Sequence, residues 1–367
     1  MAPTTVLDIL DIQYRTLHGI LDGTQKTVDY INLLKIANFL QLPKEHVIKL
    51  HLEALEKNYS TTTLSPEKVK FITENFDLAV LKQAGFIGNI MDFNEIEARI
   101  ISRLNLKSIF DYRKPPVDQT FCTGVHKPKH SVTRAFWVHA ATSCFEEICN
   151  PHEYDRQALI SFFPQIRWHS MNVERGLLEI VKALYKIGIT IIYQPPLQSM
   201  QVKGGTFSDN YKPCIALSNY QGFYSTLWFA LIHELYHVLF DWQEIRINQY
   251  HLTDDTNDQV SVQEREQLAD EFARNYFLSK ERTASVKPFI GDPCFVNRFA
   301  NDNHIHPAMM YLFNAFDAGK NDRMAWARAR RESPDVKVAT NLIGMMWEER
   351  RSVVEVLEQR KGVVYEA

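Results

Sequence analysis

The amino-acid sequence predicts an α+β fold, in which a mainly helical N-terminal half precedes a short antiparallel or mixed sheet packed with helices. Helical periodicity dominates from residue 5 to about residue 150, and from about residue 165 helical and strand patterns alternate. A nearly all-apolar helix, predicted from Thr226 to Phe240, lies within the second part. Such a helix is buried on most sides, so the neighbouring elements must pack around it.

Length and composition set the first limits. A chain of 367 residues exceeds what one core usually organises, which predicts more than one unit. Apolar content of 45% and charged content of 23% are typical of globular proteins, and a net charge of -3 predicts no strong attraction to nucleic acid or membrane. Without a basic, apolar leader we expect a cytoplasmic location. The five cysteines lack Cys-x-x-Cys spacing, and we expect free thiols.

Residues 1–60 are predicted to form a domain of short helices. Their apolar periods stop at Asp22-Gly23 and at Leu42-Pro43. The stretch 33–43, followed by a helix over Glu45–Leu52, resembles the helix-turn-helix of phage-repressor-type domains. Acidic and basic residues nearly cancel here, whereas phosphate binding requires clustered positive charge. DNA binding, protein contact or homodimerisation, and a plain helical cap remain as interpretations.

Residues 61–165 are predicted to be a helical linker or regulatory region. Ser65-Pro66-Glu67 is a typical helix start, and helical patterns return over Phe93–Leu106 and Ala135–Ile148. Prolines and a glycine predict a loop between Asp111 and Arg134, so we expect its two histidines, His126 and His130, to be solvated.

Strand patterns begin after an amphipathic helix that ends at Gly188. Strands are predicted over Ile189–Gln194, Gly204–Ser208 and Lys212–Ser218. A short apolar strand just ahead of the central helix has an exposed edge that can take an extended peptide. Ser225 is predicted to cap that helix.

Two histidines four residues apart on the central helix carry the clearest chemical signal. His233 and His237 point the same way, and Glu234 can reach a water held between them. This is the geometry of a catalytic zinc site. The alternative is a core helix with two incidental histidines.

A catalytic zinc site needs a third protein ligand, which we expect from an element further along the chain. In residues 264–278, Leu268, Phe272 and Ala273 predict an inward stripe, with Glu266 and Asp270 on one adjoining face. One acid can bind the metal while the other accepts the proton of a ligand histidine. The alternative is a solvated acidic face.

The two motifs together resemble a known family. His233-Glu-Leu-Tyr-His237 followed by Glu266-x-x-Ala-Asp270-x-Phe-Ala is similar to the ImmA/IrrE metallopeptidases, small relatives of the thermolysin-like group, the gluzincins. The similarity covers about residues 170–310, including Asn303–Pro307, and places a metallopeptidase domain at 166–310. Many members carry a repressor-like helix-turn-helix. Tyr236 departs from the pattern, because this position is often glycine.

The resemblance implies one zinc ion held by His233, His237 and Glu266, with Glu234 as general base and Asp270 orienting a histidine. It also implies a small gluzincin core. A donor for the oxyanion is needed as well, and the candidates, none of them assigned by spacing, are His251, Tyr276 and His304.

The expected function is that of a zinc endopeptidase that cuts a specific protein. The resemblance implies a transcriptional repressor or antitoxin encoded nearby, in stress response, mobile-element control or phage defence. Two alternatives stay open: a DNA-binding regulator whose metal site is structural, and an antitoxin that binds without cutting. Residues 311–367 are predicted to be a helical extension, with an exposed, charged helix from Trp347 to Arg360.

Overall fold

The computed structural model describes residues 3–25, 27–58, 65–113, 131–198, 200, 202–219, 221–254, 260–319 and 321–366. The chain forms two compact units, Met1–Ser65 and Pro66–Ala367, so the first boundary lies close to the predicted one at residue 60. One hydrophobic core in the second unit takes side chains from Ile72 to Tyr365. The predicted segments 61–165, 166–310 and 311–367 therefore share a core.

The first unit contains the short helices expected from the sequence. They are α1 (Pro3–Leu10), α2 (Tyr14–Leu21), α3 (Tyr30–Leu40) and α4 (Lys44–Asn58). The chain turns after α2 at Gly23, whose φ of 65° lies in the left-handed region that glycine adopts without strain. A small separate core joins the helices, formed by Leu10, Ile12, Ile20, Leu33, Ile36, Ala37 and Val47.

Helices make up most of the second unit. Those before the sheet are α5 (Pro66–Asn75), α6 (Leu78–Gln83), α7 (Phe93–Leu104), α8 (Ser131–Ile148), α9 (Arg156–Phe162), α10 (Ile166–His169) and α11 (Gly176–Lys186). Those that follow its third strand are α12 (Tyr224–Phe240), α13 (Trp242–Asn248), α14 (Val260–Phe277), α15 (Lys280–Val286), α16 (Pro293–Asp302), α17 (Pro307–Ala318), α18 (Arg323–Arg331), α19 (Val336–Thr340) and α20 (Val353–Lys361). Among the described residues, no helix has the length and apolar content needed to cross a membrane.

Two predictions concern residues that the structure does not describe, one of them wholly and the other in part. The predicted solvated histidines, His126 and His130, belong to the undescribed stretch 114–130, as does Cys122. The other four cysteines are free thiols, as predicted.

A four-stranded mixed sheet forms the centre of the second unit, which confirms the α+β class. Its strands β1 (Thr190–Tyr193), β2 (Val202–Asp209), β3 (Lys212–Leu217) and β4 (Tyr250–Asp254) are arranged in the order β1-β3-β2-β4. β1 is parallel to β3, and β2 is antiparallel to both β3 and β4. Asn210 and Tyr211 join β2 to β3 with positive φ angles, as two-residue hairpins require.

The predicted exposed edge on the strand just ahead of α12 is wrong. That strand is β3, and it lies inside the sheet between β1 and β2. All but its first residue are buried, which is the pattern of a strand covered on both faces. β4, which the sequence did not indicate, lies at the edge beyond β2.

The C-terminal segment covers part of the opposite edge, along β1. The Tyr193 amide donates to the Ile343 carbonyl at 3.1 Å, and the Met345 amide donates to the Tyr193 carbonyl at 2.7 Å. Two buried arginines of α7 bind the same segment, because Arg99 donates to the Trp347 carbonyl and Arg103 to the Met345 carbonyl. This edge of the sheet is thereby closed off by backbone from the end of the chain.

The exposed helix predicted from Trp347 onward is wrong in its first part. Trp347 is buried, and its indole donates to the Pro195 carbonyl at 3.0 Å. The helix itself, α20, begins at Val353 after a capping box formed by Ser352 and Glu355. A large aromatic side chain contributes more to the core than its charged neighbours contribute to a surface helix.

Helix α12 begins one residue before Ser225, so the predicted cap is wrong. The N-cap position is Phe223, which makes no side-chain capping bond. Instead the Tyr224 amide donates to the Ser333 hydroxyl at 3.0 Å, so a distant residue satisfies the first turn. The buried Ser225 hydroxyl has no hydrogen-bond partner among the described residues.

Candidate metal centre

The two histidines of α12 lie side by side in the interior of the second unit. His233 and His237 are each only 1% exposed, and their Nε2 atoms are 3.2 Å apart. The four-residue interval brings the rings to one face on successive turns. Both imidazoles are thus aimed at a single point.

Each histidine is held by a carboxylate at its other nitrogen. Nδ1 of His233 lies 2.8 Å from Asp270 Oδ1, and Nδ1 of His237 lies 2.7 Å from Asp241 Oδ2. An ionised carboxylate only accepts, so each Nδ1 donates a proton, and in the neutral form of each ring the Nε2 lone pair faces the shared point. The role of Asp241 was not predicted, although its position four residues after His237 was a visible signal.

Glu266 of α14 brings a third ligand atom to the same point. Its Oε2 is 3.2 Å from His233 Nε2, and its Oε1 is 3.3 Å from His237 Nε2. The three residues offer ligand atoms that all lie within 4.8 Å of one another, a group that could hold a metal ion. Two histidines and one carboxylate form a ligand set known from catalytic zinc sites.

Small side chains on α14 let it approach α12 closely. Ala269 and Ala273 are fully buried, and they follow Glu266 at intervals that place them on its side of the helix. The predicted inward stripe is wrong at Leu268, which is 53% exposed. The alanines face inward instead, since a leucine there would keep Glu266 away from the histidines.

Strand β2 contacts Glu234 of α12. This glutamate is fully buried, and its Oε2 accepts a hydrogen bond from the Thr206 hydroxyl at 2.8 Å. Gly204 also touches it, because a Cβ added to that glycine would lie only 2.7 Å from Glu234 Oε1. The carboxylate is therefore confined between helix and sheet, next to both ligand histidines.

Of the three candidates for an oxyanion donor, the structure brings only His251 to the site. Its Nε2 lies 2.6 Å from Glu266 Oε1, and its ring centre is 4.5 Å from that of His237. The Tyr276 hydroxyl donates to the Phe163 carbonyl at 2.7 Å and accepts from a backbone amide, so it serves packing. His304 is exposed beside Trp168.

The electrostatics of the cluster favour a cation. Burial lowers the pKa of His237, but hydrogen bonds with Asp241 and Glu266 outweigh it and raise that pKa to about 9. Burial likewise opposes the charged form of His233, yet Asp270 and Glu266 raise its pKa. For Glu266, burial acts to raise the pKa, and its contacts with three histidines lower it overall. Such a group holds positive charge as protons when no metal supplies it.

A cavity of about 1050 Å³ adjoins the cluster on the side of Asp270. Phe229 and Ala230 of α12 line it together with Phe313, and polar groups including Lys203 and Arg274 complete its wall. Tyr236 is not one of the described residues that line this cavity. It packs against Phe240 and Phe272, with ring centres 4.7 and 5.4 Å away. Its bulk fills a gap between α12 and α14.

In comparisons with protein-family models, with curated proteins and with solved structures, nothing matches this chain. The meaning of the cluster therefore has to be argued from its own residues and from the paired motifs. Those residues come from two helices and one strand that are distant in sequence, and they meet at one buried point.

Proposed function

We propose that this chain is a zinc-dependent endopeptidase with a small gluzincin-type core, in keeping with its resemblance to the ImmA/IrrE metallopeptidases. One observation carries the proposal: two histidine Nε2 atoms and the Glu266 carboxylate converge, while Glu234 lies beside them. Asp241 and Asp270 also support the proposal, because each fixes one histidine ring in the tautomer that a metal ligand needs.

His233, His237 and Glu266 would hold one zinc ion. When bound, zinc supplies Lewis acidity, which makes a water more acidic and polarises a peptide carbonyl. Glu266 is held in place for this role by three imidazoles, and the buried position of both histidines keeps competing water out. A structural role is the second candidate, since His251 contacts Glu266 beside the three ligand residues and closed four-ligand sites are typical of structural zinc.

Glu234 is the proposed general base. It adjoins His233 in the chain but points to β2, where Thr206 and Gly204 fix its carboxylate outside the ligand group. From there it accepts the proton of the attacking water and passes it to the leaving amine. The Thr206 hydroxyl fixes one oxygen of that carboxylate at 2.8 Å.

The proposed substrate is a specific regulatory protein, a repressor or antitoxin encoded nearby. The apolar floor of the cavity beside Asp270 suits a side chain of an extended polypeptide. The first unit supports protein recognition more than DNA binding, because its charges nearly cancel and it exposes large apolar side chains. Exposed examples are Tyr30, Ile31, Leu40 and Leu52.

The test is a Glu234→Gln protein, incubated with the products of neighbouring genes and compared with wild type with and without chelator. We expect a discrete fragment from wild type, its loss with chelator, and its loss in Glu234→Gln at unchanged zinc content, because Glu234 is not a ligand. Glu358→Gln, which changes an exposed glutamate of α20, is the matched control and should cut normally. Biological activity retained by zinc-bound Glu234→Gln would instead support a structural metal site.

A further inference from the structure

Strand β2 is paired along both of its edges. β3 occupies one edge, and β4 occupies the other in antiparallel register, with Gly204 opposite Thr253, Gly205 opposite Leu252 and Thr206 opposite His251. Gly204 and Thr206 are also the two residues that hold Glu234. The backbone of β4 thus runs along the stretch of β2 that adjoins the proposed general base.

The alternation of side chains directs His251 into the metal centre. Thr206 points to α12, where it meets Glu234, and Phe207 points to the opposite face, where it packs against Trp137 and Phe145 of α8. A residue directly opposite Thr206 shares its face. His251 therefore reaches the α12 side, and its Nε2 lies 2.6 Å from Glu266 Oε1.

The residues of β4 on either side of His251 pack on the face of the sheet opposite Thr206. Tyr250 stacks on Phe207 with ring centres 5.8 Å apart. Leu252 is buried over Gly205, where a Cβ on the glycine would lie 2.6 Å from its Cδ2 atom. Two side chains thus anchor β4 to β2, and a third contacts a metal ligand.

From this placement we infer that β4 is an internal occupant of the position where an extended substrate adds to the sheet, so that the structure shows a latent enzyme. The inference rests on the proposed function, because it assigns to residues 250–254 the place of that enzyme's substrate. An extended peptide bound to β2 uses the same backbone groups that β4 uses. Peptide and β4 are therefore mutually exclusive, and β4 must leave before cleavage.

Weakening β4 has opposite effects on cleavage in the two roles open to this strand. If His251 were an oxyanion donor on a permanent edge strand, weakening β4 would lower the rate of cleavage. If β4 is an occupant, weakening it raises the fraction of open sites and with it the apparent affinity for a peptide. Leu252→Asp separates the two, because it disrupts the anchor over Gly205 without changing a residue of the metal centre.

The first measurement needs no hydrolysis. A dye-labelled peptide with the sequence of residues 249–254 is titrated into the zinc-loaded Glu234→Gln protein, with and without Leu252→Asp, and binding is followed by fluorescence anisotropy. We expect Leu252→Asp to bind at least about tenfold more tightly. Leu342→Asp, at a leucine 44% exposed, is the control and should bind like its parent. Equal affinity with and without Leu252→Asp would overturn the inference.

Tyr250→Ala, which removes the stacking contact with Phe207, takes the place of Leu252→Asp if circular dichroism shows that the latter does not fold. The second measurement uses Glu234-intact protein and the protein substrate that wild type cuts. A rate increase of about tenfold in Leu252→Asp supports the inference, and an unchanged or lower rate at equal zinc content overturns it while the proposed function stands. Tighter peptide binding by Leu252→Asp, with no product of a neighbouring gene cut by any variant, would support the occupant and refute the peptidase.

Discussion

At the scale of single residues, the metal centre depends on how two imidazoles are oriented. Asp270 binds the Nδ1 atom of His233 from α14, and Asp241 binds that of His237 from just past the end of α12. Each fixes a tautomer, so that both Nε2 atoms are available together. Without that support a buried imidazole would be free to turn its protonated nitrogen toward the site.

Asp241→Asn tests this support. The amide cannot accept the Nδ1 proton as strongly as a carboxylate, so we expect zinc affinity to fall by about 10- to 100-fold with the fold retained. Competition with a chelating dye measures the affinity. Asp302→Asn, at an exposed aspartate that ends α16, should leave it unchanged. An unaltered affinity in Asp241→Asn would show that His237 keeps its orientation through packing alone.

The sequence allowed some of this site to be predicted and not the rest. His233 and His237 were identifiable because a helix converts a four-residue interval into one face, and Glu266 and Asp270 followed from a second motif. Asp241 was missed because an aspartate just past a helix end is common. His251 was named only as one of three oxyanion candidates, since its neighbours in space come from α12 and α14, and no local interval records that contact.

At the scale of elements, the site depends on how closely β2 approaches α12. Gly204 has no side chain at the point where Glu234 presses against the strand, and Thr206 donates to the same carboxylate one position further along that face. Any larger residue at 204 must push the carboxylate or the strand away, because its Cβ would lie 2.7 Å from Glu234 Oε1, which is shorter than real Cβ contacts. The strand thereby sets the position of the proposed base.

Gly204→Ala should therefore impair cleavage more than folding. A displacement of the base by about 1 Å can cost about 100-fold in rate, and we expect a loss of that order in kcat with zinc content retained. Gly291→Ala is the control, because a Cβ there would meet only an arginine side-chain nitrogen at 3.9 Å. A normal kcat for Gly204→Ala, measured on the cleaved protein, would contradict the assigned position of Glu234.

Elements with a clear apolar period were predictable, and those defined by distant partners were not. The helices of the first unit have such a period, α12 has a long apolar run, and all of them lie where the sequence indicates. β4 has only five residues and becomes a strand by pairing with β2, more than forty residues earlier in the chain. The burial of Trp347 likewise depends on Pro195 and on two arginines of α7.

At the scale of the molecule, the two units have hydrophobic cores of very different size. The first unit rests on the seven buried residues around Ile36, whereas the second has a core that runs from Ile72 to Tyr365. Small cores leave little free energy of unfolding to spare. A substitution that destabilises the first unit should therefore unfold that unit first.

Ile36→Ala should unfold the first unit alone. Removing a buried isoleucine side chain costs about 2–5 kcal/mol, which is comparable with the whole stability of so small a unit. We expect limited proteolysis to cut within residues 1–65 while the zinc content of the protein is unchanged. Ile31→Ala, at an isoleucine 58% exposed on the same helix, is the matched control. Loss of zinc in Ile36→Ala would show that the two units depend on each other for folding.

The pairing of β1 and β2 with other segments has a consequence for how the protein behaves in a crowded solution. Ile343 and Met345 bind the outer edge of β1, and β4 binds the outer edge of β2. An uncovered strand edge is a template for pairing with another chain. If β4 left without a polypeptide to replace it, the longer strand β2 would become the edge of the sheet, and copies of this protein would be liable to join edge to edge through it.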